Sequence, residues 1–180
     1  MLHRYSEVLN LPVLCADSGR KAGVVKDIIF SLESKNVKAL LLEQSGLSLK
    51  KKVVLLEELL SLGSDAAIIN STNCVTDMDR TAYTEAFQDE GAILGLKVFS
   101  KAGGDLGIVK DVMFDWRTGK IESFEVSDGV IQDVMQGRKV IPLFGKVELG
   151  EEYAVVGNEA VEEMEETGGG IKNRLRNTPL

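Results

Sequence analysis

The sequence predicts an all-β protein: two small antiparallel β-barrels in tandem, with a helical linker and a short C-terminal helix. The first observation behind this is a repeat. Gly-Val-Val-Lys-Asp-Ile-Ile-Phe at residues 23–30 recurs as Gly-Ile-Val-Lys-Asp-Val-Met-Phe at residues 107–114, with five of eight positions identical. The second is that each copy consists of short runs of β-branched residues separated by turn residues. Such short strands, with no amphipathic helix between them, are typical of a small curled sheet.

The similarity extends on both sides of this octapeptide. Residues 14–19 match 98–104, 37–43 match 121–127, 52–56 match 139–143, and 67–69 match 153–156. A spacing of 84–87 residues is too long for a solenoid unit and indicates duplication of a whole small domain. The predicted organisation is domain 1 at 8–71, a linker at 72–92, domain 2 at 93–157, and a short helix with a flexible tail at 158–180.

In the second copy we predict strands at residues 97–99, 107–115, 121–126, 139–142 and 153–156. Turns are expected at 101–105, where paired glycines suit a positive φ, and at 117–120. Simple alternation along the long strand puts Ile108, Val112 and Phe114 on one face and Val109 and Met113 on the other. Both faces are then mixed, which suits a bent strand.

Two helices are expected outside the barrels. Apolar residues at helical spacing predict a linker helix from about Asp77 to Gln88, with Asp77 as its cap. A second helical stretch is predicted from about Asn158 to Glu166, before three consecutive glycines at 168–170.

Composition and charge exclude several classes of protein. The net charge is −7, and neither half of the chain has a basic excess, so direct nucleic-acid binding is disfavoured. No apolar run approaches the length of a membrane helix, and the first residues lack the pattern of a signal peptide. We therefore expect a cytoplasmic protein without a membrane span.

Catalytic and metal-binding residues are not expected. The single histidine, His3, is predicted to lie in a frayed terminus, and neither Cys15 nor Cys74 belongs to a Cys-x-x-Cys motif. Both cysteines are expected to be buried or half-buried, without a disulfide. No Ser–His–Asp set is available, and paired glutamates adjacent on a strand point apart. We predict no enzyme activity and no cofactor.

Asp27 and Asp111 are the most interesting polar positions, because each lies inside an apolar strand at the same place in the repeat. One interpretation is structural: the carboxylate accepts backbone N–H groups and fixes the barrel. The other is a site for a cation or for an arginine of a partner. We favour the structural interpretation, because no second ligand accompanies either aspartate.

These motifs resemble the PRC-barrel domain family, in the Gly-Leu-Lys-Val start at 95–98, the long strand at 107–115, and Val-Ile-Pro-Leu at 140–143. The first copy departs from the pattern, with Leu55 in place of the proline and Ser31 in place of Asp115. The resemblance implies small β-barrels that dock to other proteins. The residues assigned a structural or binding role are Gly23, Gly107, Phe30, Phe114, Trp116 and the two aspartates.

The leading hypothesis is a non-enzymatic tandem module that docks to a protein partner or self-associates. One alternative is a protein that binds a small ligand or metal in a crevice between the barrels, using Asp27 and Asp111. Another is an accessory protein of the ribosome or of RNA processing, by analogy with a ribosome maturation factor of the same family.

Overall fold

The computed structural model describes residues 1–31, 34, 36–43, 50–78, 93–129, 138–143, 147–150 and 152–166. The chain divides into two compact units. Unit 1 comprises Met1–Ala92 with Phe114–Ile121, and unit 2 comprises Ile93–Met113 with Glu122–Leu180. The domain bounds predicted from the repeat stay a prediction.

The first repeat forms one curled sheet in the order β6-β7-β2-β3-β4-β5-β8. Its strands are β2 (Pro12–Cys15), β3 (Lys21–Ser31), β4 (Asn36–Leu42), β5 (Lys52–Leu55), β6 (Leu59–Leu62), β7 (Ala67–Ile69) and β8 (Thr76–Asp77). A short strand β1 (Leu2–Arg4) and one helical turn α1 (Tyr5–Val8) precede it, and 3₁₀ turns occur at Leu56–Glu58 and Thr72–Cys74.

The second repeat forms a sheet with the path β13-β14-β9-β10-β11-β12-β15, which matches the first strand for strand. Its elements are β9 (Lys97–Ser100), β10 (Asp105–Asp115), β11 (Ile121–Ser127), β12 (Lys139–Pro142), β13 (Glu148–Leu149), β14 (Tyr153–Val156), α2 (Asn158–Glu162) and β15 (Glu165–Glu166). The predicted all-β class and the tandem repeat are confirmed.

One pairing in each sheet is not antiparallel as predicted. β2 runs parallel to β7, and β9 runs parallel to β14. The physical reason is topological: β6–β7 and β13–β14 each form a hairpin, and the second strand of each hairpin pairs with the first strand of the sheet core. Each sheet is therefore mixed.

In the long strand of each repeat, some buried side chains are three residues apart, whereas a regular strand buries every second residue on one face. Val25 and Ile28 are both fully buried on β3, and the register shifts between Val25 and Asp27, so Lys26 occupies a bulge. A bulge inserts one residue and reverses the alternation beyond it. The equivalent Val109 and Val112 on β10 are likewise buried. Val109 and Val112 were predicted on opposite faces of this strand, and both are buried in the structure.

The pairing of β2 with β3 and of β9 with β10 aligns the two repeats more accurately than the sequence match did. Val13 pairs with Gly23, and Val98 pairs with Gly107. Val98 is thus equivalent to Val13, and not to Leu14 as the sequence match suggested. The first copy has an extra residue in its turn, and this residue displaced the alignment.

The end of the β10–β11 hairpin belongs to unit 1. The backbone N–H of Val37 donates to the carbonyl of Gly119 over 2.7 Å, and a Cβ on Gly119 would overlap the Val37 carbonyl oxygen. Asp115 closes the hairpin by accepting from the backbone N–H of Arg117 at 2.8 Å. The terminal ammonium of Met1, hydrogen-bonded to the Asp115 carboxylate, lowers the pKa of that group, with help from the Arg117 N–H.

The C-terminal helix is shorter than predicted, because Glu165 and Glu166 leave the helix and pair with Val140 and Lys139 of β12. An open sheet edge offers backbone partners, whereas a helix crowded with glutamates suffers like-charge repulsion. Asp77, the predicted cap of the linker helix, ends β8, and residues 79–92 lie outside the described residues. So does the predicted flexible tail from residue 167.

Substituting the two equivalent glycines should have unequal effects. Gly107 has φ +113°, and a Cβ there would overlap the backbone carbonyl of Ser127. At Gly23 the nearest atom is the flexible Cδ1 of Leu42, 3.1 Å away. We expect Gly107→Ala to lower the free energy of unfolding by about 2–3 kcal/mol, and Gly23→Ala by less than about 1 kcal/mol.

Urea unfolding of both variants measures this difference. Equal losses of stability would show that the positive φ at Gly107 is not a constraint on the fold.

Candidate functional site

Asp27 lies directly after the bulge of β3 and is half-buried. Its Oδ1 accepts a hydrogen bond from the backbone N–H of Ile28 at 2.7 Å and another from the hydroxyl of Tyr5 at 2.9 Å. The ring of Tyr5 also stacks on Phe30, with centroids 6.3 Å apart. Asp27 therefore ties the N-terminal turn α1 to the long strand.

Asp111 is more deeply buried, with 3% of its surface exposed, and its Oδ1 accepts from the backbone N–H of Val112 at 2.8 Å. Both repeats thus use the aspartate carboxylate for the N–H of the following residue. This contact is the one that the structural interpretation of the two aspartates requires.

The aromatic residues of the repeated motif are core residues by position. Phe30 and Phe114 are fully buried, and Trp116 is 8% exposed with the guanidinium of Arg117 5.6 Å from its ring centre. Burying a phenylalanine stabilises a fold by roughly 1.5–3 kcal/mol. None of the three offers an open surface to a partner.

A buried ion pair distinguishes the second repeat. Glu125 of β11 is 4% exposed, and its Oε1 accepts from Nη1 of Arg138 at 2.9 Å. The equivalent residue of the first repeat is Leu41, which packs in an apolar cluster with Ile29 and Val53. The same sheet face is therefore apolar in one copy and charged in the other.

The sequence predicted His3 in a frayed terminus, and this prediction was wrong. His3 forms part of β1, is 8% exposed, and has its Nε2 atom buried without a hydrogen-bond partner. Burial lowers the pKa of the imidazole, and the charge of Glu7 and a hydrogen bond to the Leu62 backbone oppose this effect less strongly. The side chain is thus held in the neutral form.

The paired strands β9 and β14 of unit 2 carry an exposed surface with aromatic side chains. Five side chains share its outer face, and we call them the β9–β14 patch: Lys97, Phe99, Lys101, Tyr153 and Val155. They line an open concavity of about 630 Å³ together with Ser100 and Gly103. The alternation of the two strands explains the arrangement, because Val98, Ala154 and Val156 point inward and are fully buried.

The parallel register fixes how the patch is assembled. Tyr153 lies beside Lys97, and Val155 lies beside Phe99. The rings of Phe99 and Tyr153 meet at a tilt of 60° with centroids 5.7 Å apart, and Tyr153 is 50% exposed. Tilted aromatic pairs of this kind have a favourable geometry. The backbone N–H of Lys101 donates to the carbonyl of Val156 at 3.0 Å and extends the pairing past the strand.

The first repeat has no comparable side chains at the equivalent positions. The matching registers place Pro12, Leu14, Ala16 and Ile68 where the second repeat has Lys97, Phe99, Lys101 and Val155. Ala66 is equivalent to Tyr153, because each carbonyl accepts from a turn glycine three residues earlier. The patch is therefore a property of the second repeat alone within the part of the chain that the structure describes.

The two lysines differ in their surroundings. Nζ of Lys97 lies 4.0 Å from a carboxylate oxygen of Asp105, and both side chains are more than half exposed. Exposed pairs at this distance contribute little. Among the described residues, no carboxylate oxygen lies within 4 Å of Nζ of Lys101. The two lysines of the patch are accompanied by exposed carboxylates on its borders, because Asp105 pairs with Phe99 and Glu148 pairs with Val155.

Other chemistry has less support in the described residues. They contain no group of three or more His, Cys, Asp or Glu side chains placed to hold a metal ion. Cys15 is buried and Cys74 is half-buried, as predicted, and both are free thiols in the structure. Within the same part of the chain, no helix is long and apolar enough to cross a membrane.

Sequence reasoning missed the patch and the Glu125–Arg138 pair. In both cases the signal is a difference between the repeats: Glu125 stands against Leu41, and Phe99 stands against Leu14 once the strand registers are aligned. The strand pairing that joins Tyr153 to β9 is long-range and parallel, so no local pattern reveals it.

The fold and the patch define a protein of two duplicated small β-domains, the second of which has an exposed aromatic surface. The family model for the PRC-barrel domain matches residues 1–73 and again residues 92–159. The chain therefore belongs to the PRC-barrel domain family, as the sequence motifs had suggested. No curated protein matches the chain.

The ion pair should respond unequally to removal of its two partners. Arg138 is 43% exposed and can return to water, whereas Glu125 cannot. We expect Arg138→Ala to lower the free energy of unfolding by about 2–3 kcal/mol, since it leaves a buried carboxylate without this partner. Glu125→Leu, which restores the residue type of the first repeat, should change it by less than about 1 kcal/mol.

Chemical denaturation of both variants at pH 7 measures this asymmetry. A larger loss for Glu125→Leu than for Arg138→Ala would contradict it.

His3 should make the protein less stable in mild acid. Because its pKa is lower in the folded state, the unfolded chain binds more protons below the ordinary histidine pKa of 6.5. The stability that depends on neutral His3 is complete above that pH and is lost as the pH falls. Thermal unfolding between pH 7.5 and 5 should show a steeper fall in Tm for the wild type than for His3→Leu. Parallel curves would contradict this prediction.

Proposed function

We propose that this protein is a non-enzymatic docking module, in which the second barrel carries the surface that engages a protein partner or another copy of the chain. The observation that supports this most is the β9–β14 patch. It combines a half-exposed tyrosine, a phenylalanine and a valine in one concavity, and places lysines at its border.

This composition is that of a protein interface. Interfaces concentrate aromatic side chains at their centre and place charged groups at the solvated rim. Tyrosine is among the residues that contribute most to binding, because a large rigid side chain loses little conformational freedom. In the patch, Tyr153 and Phe99 already contact one another, so part of this ordering precedes binding.

An enzymatic role has weaker support. The one histidine of the chain is buried in β1 with a lowered pKa, and Cys15 is buried in β2. The aspartates of the repeat are engaged with backbone N–H groups. General acid–base catalysis needs such groups to converge at an accessible point. The exposed patch carries lysines and aromatic rings instead.

Photo-crosslinking in the native host tests the docking proposal. A photoreactive phenylalanine analogue is placed at Tyr153 and, as a matched control, at the equivalent Ala66 of the first repeat. We expect a discrete crosslinked product from position 153 and none from position 66. Its mass distinguishes a second copy of the chain from a different protein.

A chain that is monomeric by light scattering and gives no product from position 153 would contradict the proposal. So would equal crosslinking from both positions, because the second repeat would then carry no special surface.

A further inference from the structure

We propose that the β9–β14 patch binds the same patch on a second copy of this chain, about a twofold axis that runs along the line from Tyr153 to Phe99. The strands of the two copies then cross at close to a right angle, which is one of the two common ways in which sheets pack face to face. This inference rests on the proposed docking function and identifies the partner. It follows from the positions that the strand registers give to the charged and aromatic side chains of the outer face.

The charged side chains of the outer face form a cross centred on Phe99. Lys97 and Lys101 lie two residues before and after Phe99 along the chain, and both line the concavity. Asp105 pairs with Phe99 from one side, and its carboxylate lies 4.0 Å from Nζ of Lys97, which places it on the same face. Glu148, exposed on β13, lies two strands away on the other side in the same row. Positive charges thus lie along the strand direction and negative charges across it.

The two arms of this cross have similar lengths. Residues in a strand rise about 3.3 Å each, so each lysine lies about 7 Å from Phe99 along β9. Neighbouring strands are about 4.8 Å apart, so Asp105 lies about 5 Å and Glu148 about 10 Å from Phe99 across the strands. A rotation of one copy by close to a right angle therefore lays its lysines over the carboxylates of the other. Packed sheets lie about 10 Å apart, a gap that a lysine and a carboxylate side chain together can span.

Self-association gives every charge of the cross an opposite charge, whereas a partner of one charge sign does not. Because lysines lie on one arm and carboxylates on the other, a uniformly acidic or basic segment meets repulsion on one arm. A second copy presents the same cross in the rotated direction. Since a twofold interface repeats each contact, the single rotation pairs both lysines and both carboxylates of each copy.

Other twofold axes bring like charges together. An axis along the strands sets Lys97 against Lys97 of the second copy. An axis across the strands sets Lys97 against Lys101 of the second copy and Asp105 against its own counterpart. A diagonal axis avoids both arrangements, because it exchanges the lysine arm with the carboxylate arm. Like charges that meet across an interface cost several kcal/mol, so the diagonal is strongly favoured.

The aromatic pair decides between the two diagonals. Tyr153 lies beside Lys97 on the neighbouring strand, so it is displaced diagonally from Phe99. An axis along this line makes each ring face its own counterpart, and it covers the tyrosine side chain that is 50% exposed. The other diagonal carries Tyr153 away from both rings of the second copy. On the chosen axis, Lys97 meets Glu148, and Lys101 then meets the carboxylate on the opposite side of the cross.

The size of the patch predicts a weak dimer. From the spacings of a sheet, the cross covers about 13 by 14 Å, an area of about 200 Å² on each copy. Stable interfaces bury about 800 Å² on each partner. We therefore expect a reversible dimer that forms only at high protein concentration.

Sedimentation equilibrium of the full-length protein, from about 10 μM to about 1 mM, tests the inference. We expect a reversible equilibrium between monomer and dimer. Tyr153→Ala should weaken the association at least fivefold, because the side chain lies on the axis and faces its counterpart. As a matched control, Lys26→Glu reverses an exposed charge on β3 of the first repeat and should leave the association unchanged.

Exchange of the two charges of one contact identifies the axis. Lys97→Glu and Glu148→Lys should each weaken the association at least fivefold, because each sets like charges together in both symmetric contacts. An equimolar mixture of the two variants should associate within about threefold of the wild type. In the mixed dimer the new carboxylate of one chain faces the new ammonium of the other, and the unchanged Lys97 and Glu148 face each other. A variant that merely misfolds is not rescued by mixing.

Several results would overturn the inference. These are a monomer over the whole concentration range, a dimer that Tyr153→Ala leaves intact, or a mixture that associates no better than its two components. If the chain is monomeric while position 153 still crosslinks to a different protein, the self-association inference fails and the docking function stands. If position 153 gives no product either, both fail.

Discussion

The backbone hydrogen bond to the repeated aspartate is the interaction on which the curled sheets depend. In β3 it comes directly after a bulge, where Oδ1 of Asp27 accepts the N–H of Ile28. A bulge bends a strand and disrupts its ladder, so the neighbouring polar groups need other partners. The Asp27 carboxylate supplies such a hydrogen-bond partner from the strand itself, without an added segment of chain. The bend in turn lets Val25 and Ile28, three residues apart, enter the same core. The same hydrogen bond, from Val112 to Asp111, and the same buried spacing recur in the second repeat.

This constraint explains why the inward residues of the two copies remained alike while the outward ones diverged. Core positions are filled to crystal-like density, so each change there leaves a cavity or a clash. Phe30 and Phe114, for example, are both fully buried. On the other sheet face the buried Leu41 is matched by the buried Glu125, whose carboxylate accepts a hydrogen bond from Arg138. On β9 and β14, side chains of quite different chemistry stand on the same backbone as in the first copy. The duplicated fold thus supplies a rigid frame on which one copy acquired a distinct surface.

The sequence allowed the strands to be predicted, and it did so for local reasons. Turn residues such as those after Asp115, and the β-branched runs between them, act over a few residues. The failures all involve long-range contacts or backbone irregularities. The bulge at Lys26 was not predicted, because a bulge is invisible to simple alternation. His3 was placed in a frayed end because its burial in unit 1 depends on residues distant in the sequence. Glu165 and Glu166 left their predicted helix because β12 offered an edge. The patch was missed because it exists only once β14 pairs in parallel with β9.

The parallel pair also decides which patch residues should contribute affinity and which should contribute selectivity. The backbone is fixed at both ends: Gly150 donates to the carbonyl of Tyr153, and Lys101 donates to that of Val156. Phe99 and Tyr153 therefore start from a nearly bound arrangement, and little conformational entropy is lost when a ligand packs on them. The lysines are long and largely solvated, so ordering them offsets much of their Coulomb attraction. Affinity should accordingly come from the aromatic pair. The lysines should set the orientation of the bound partner. They should also exclude partners that place positive charge at the same point, because like charges that meet at such a site are strongly unfavourable.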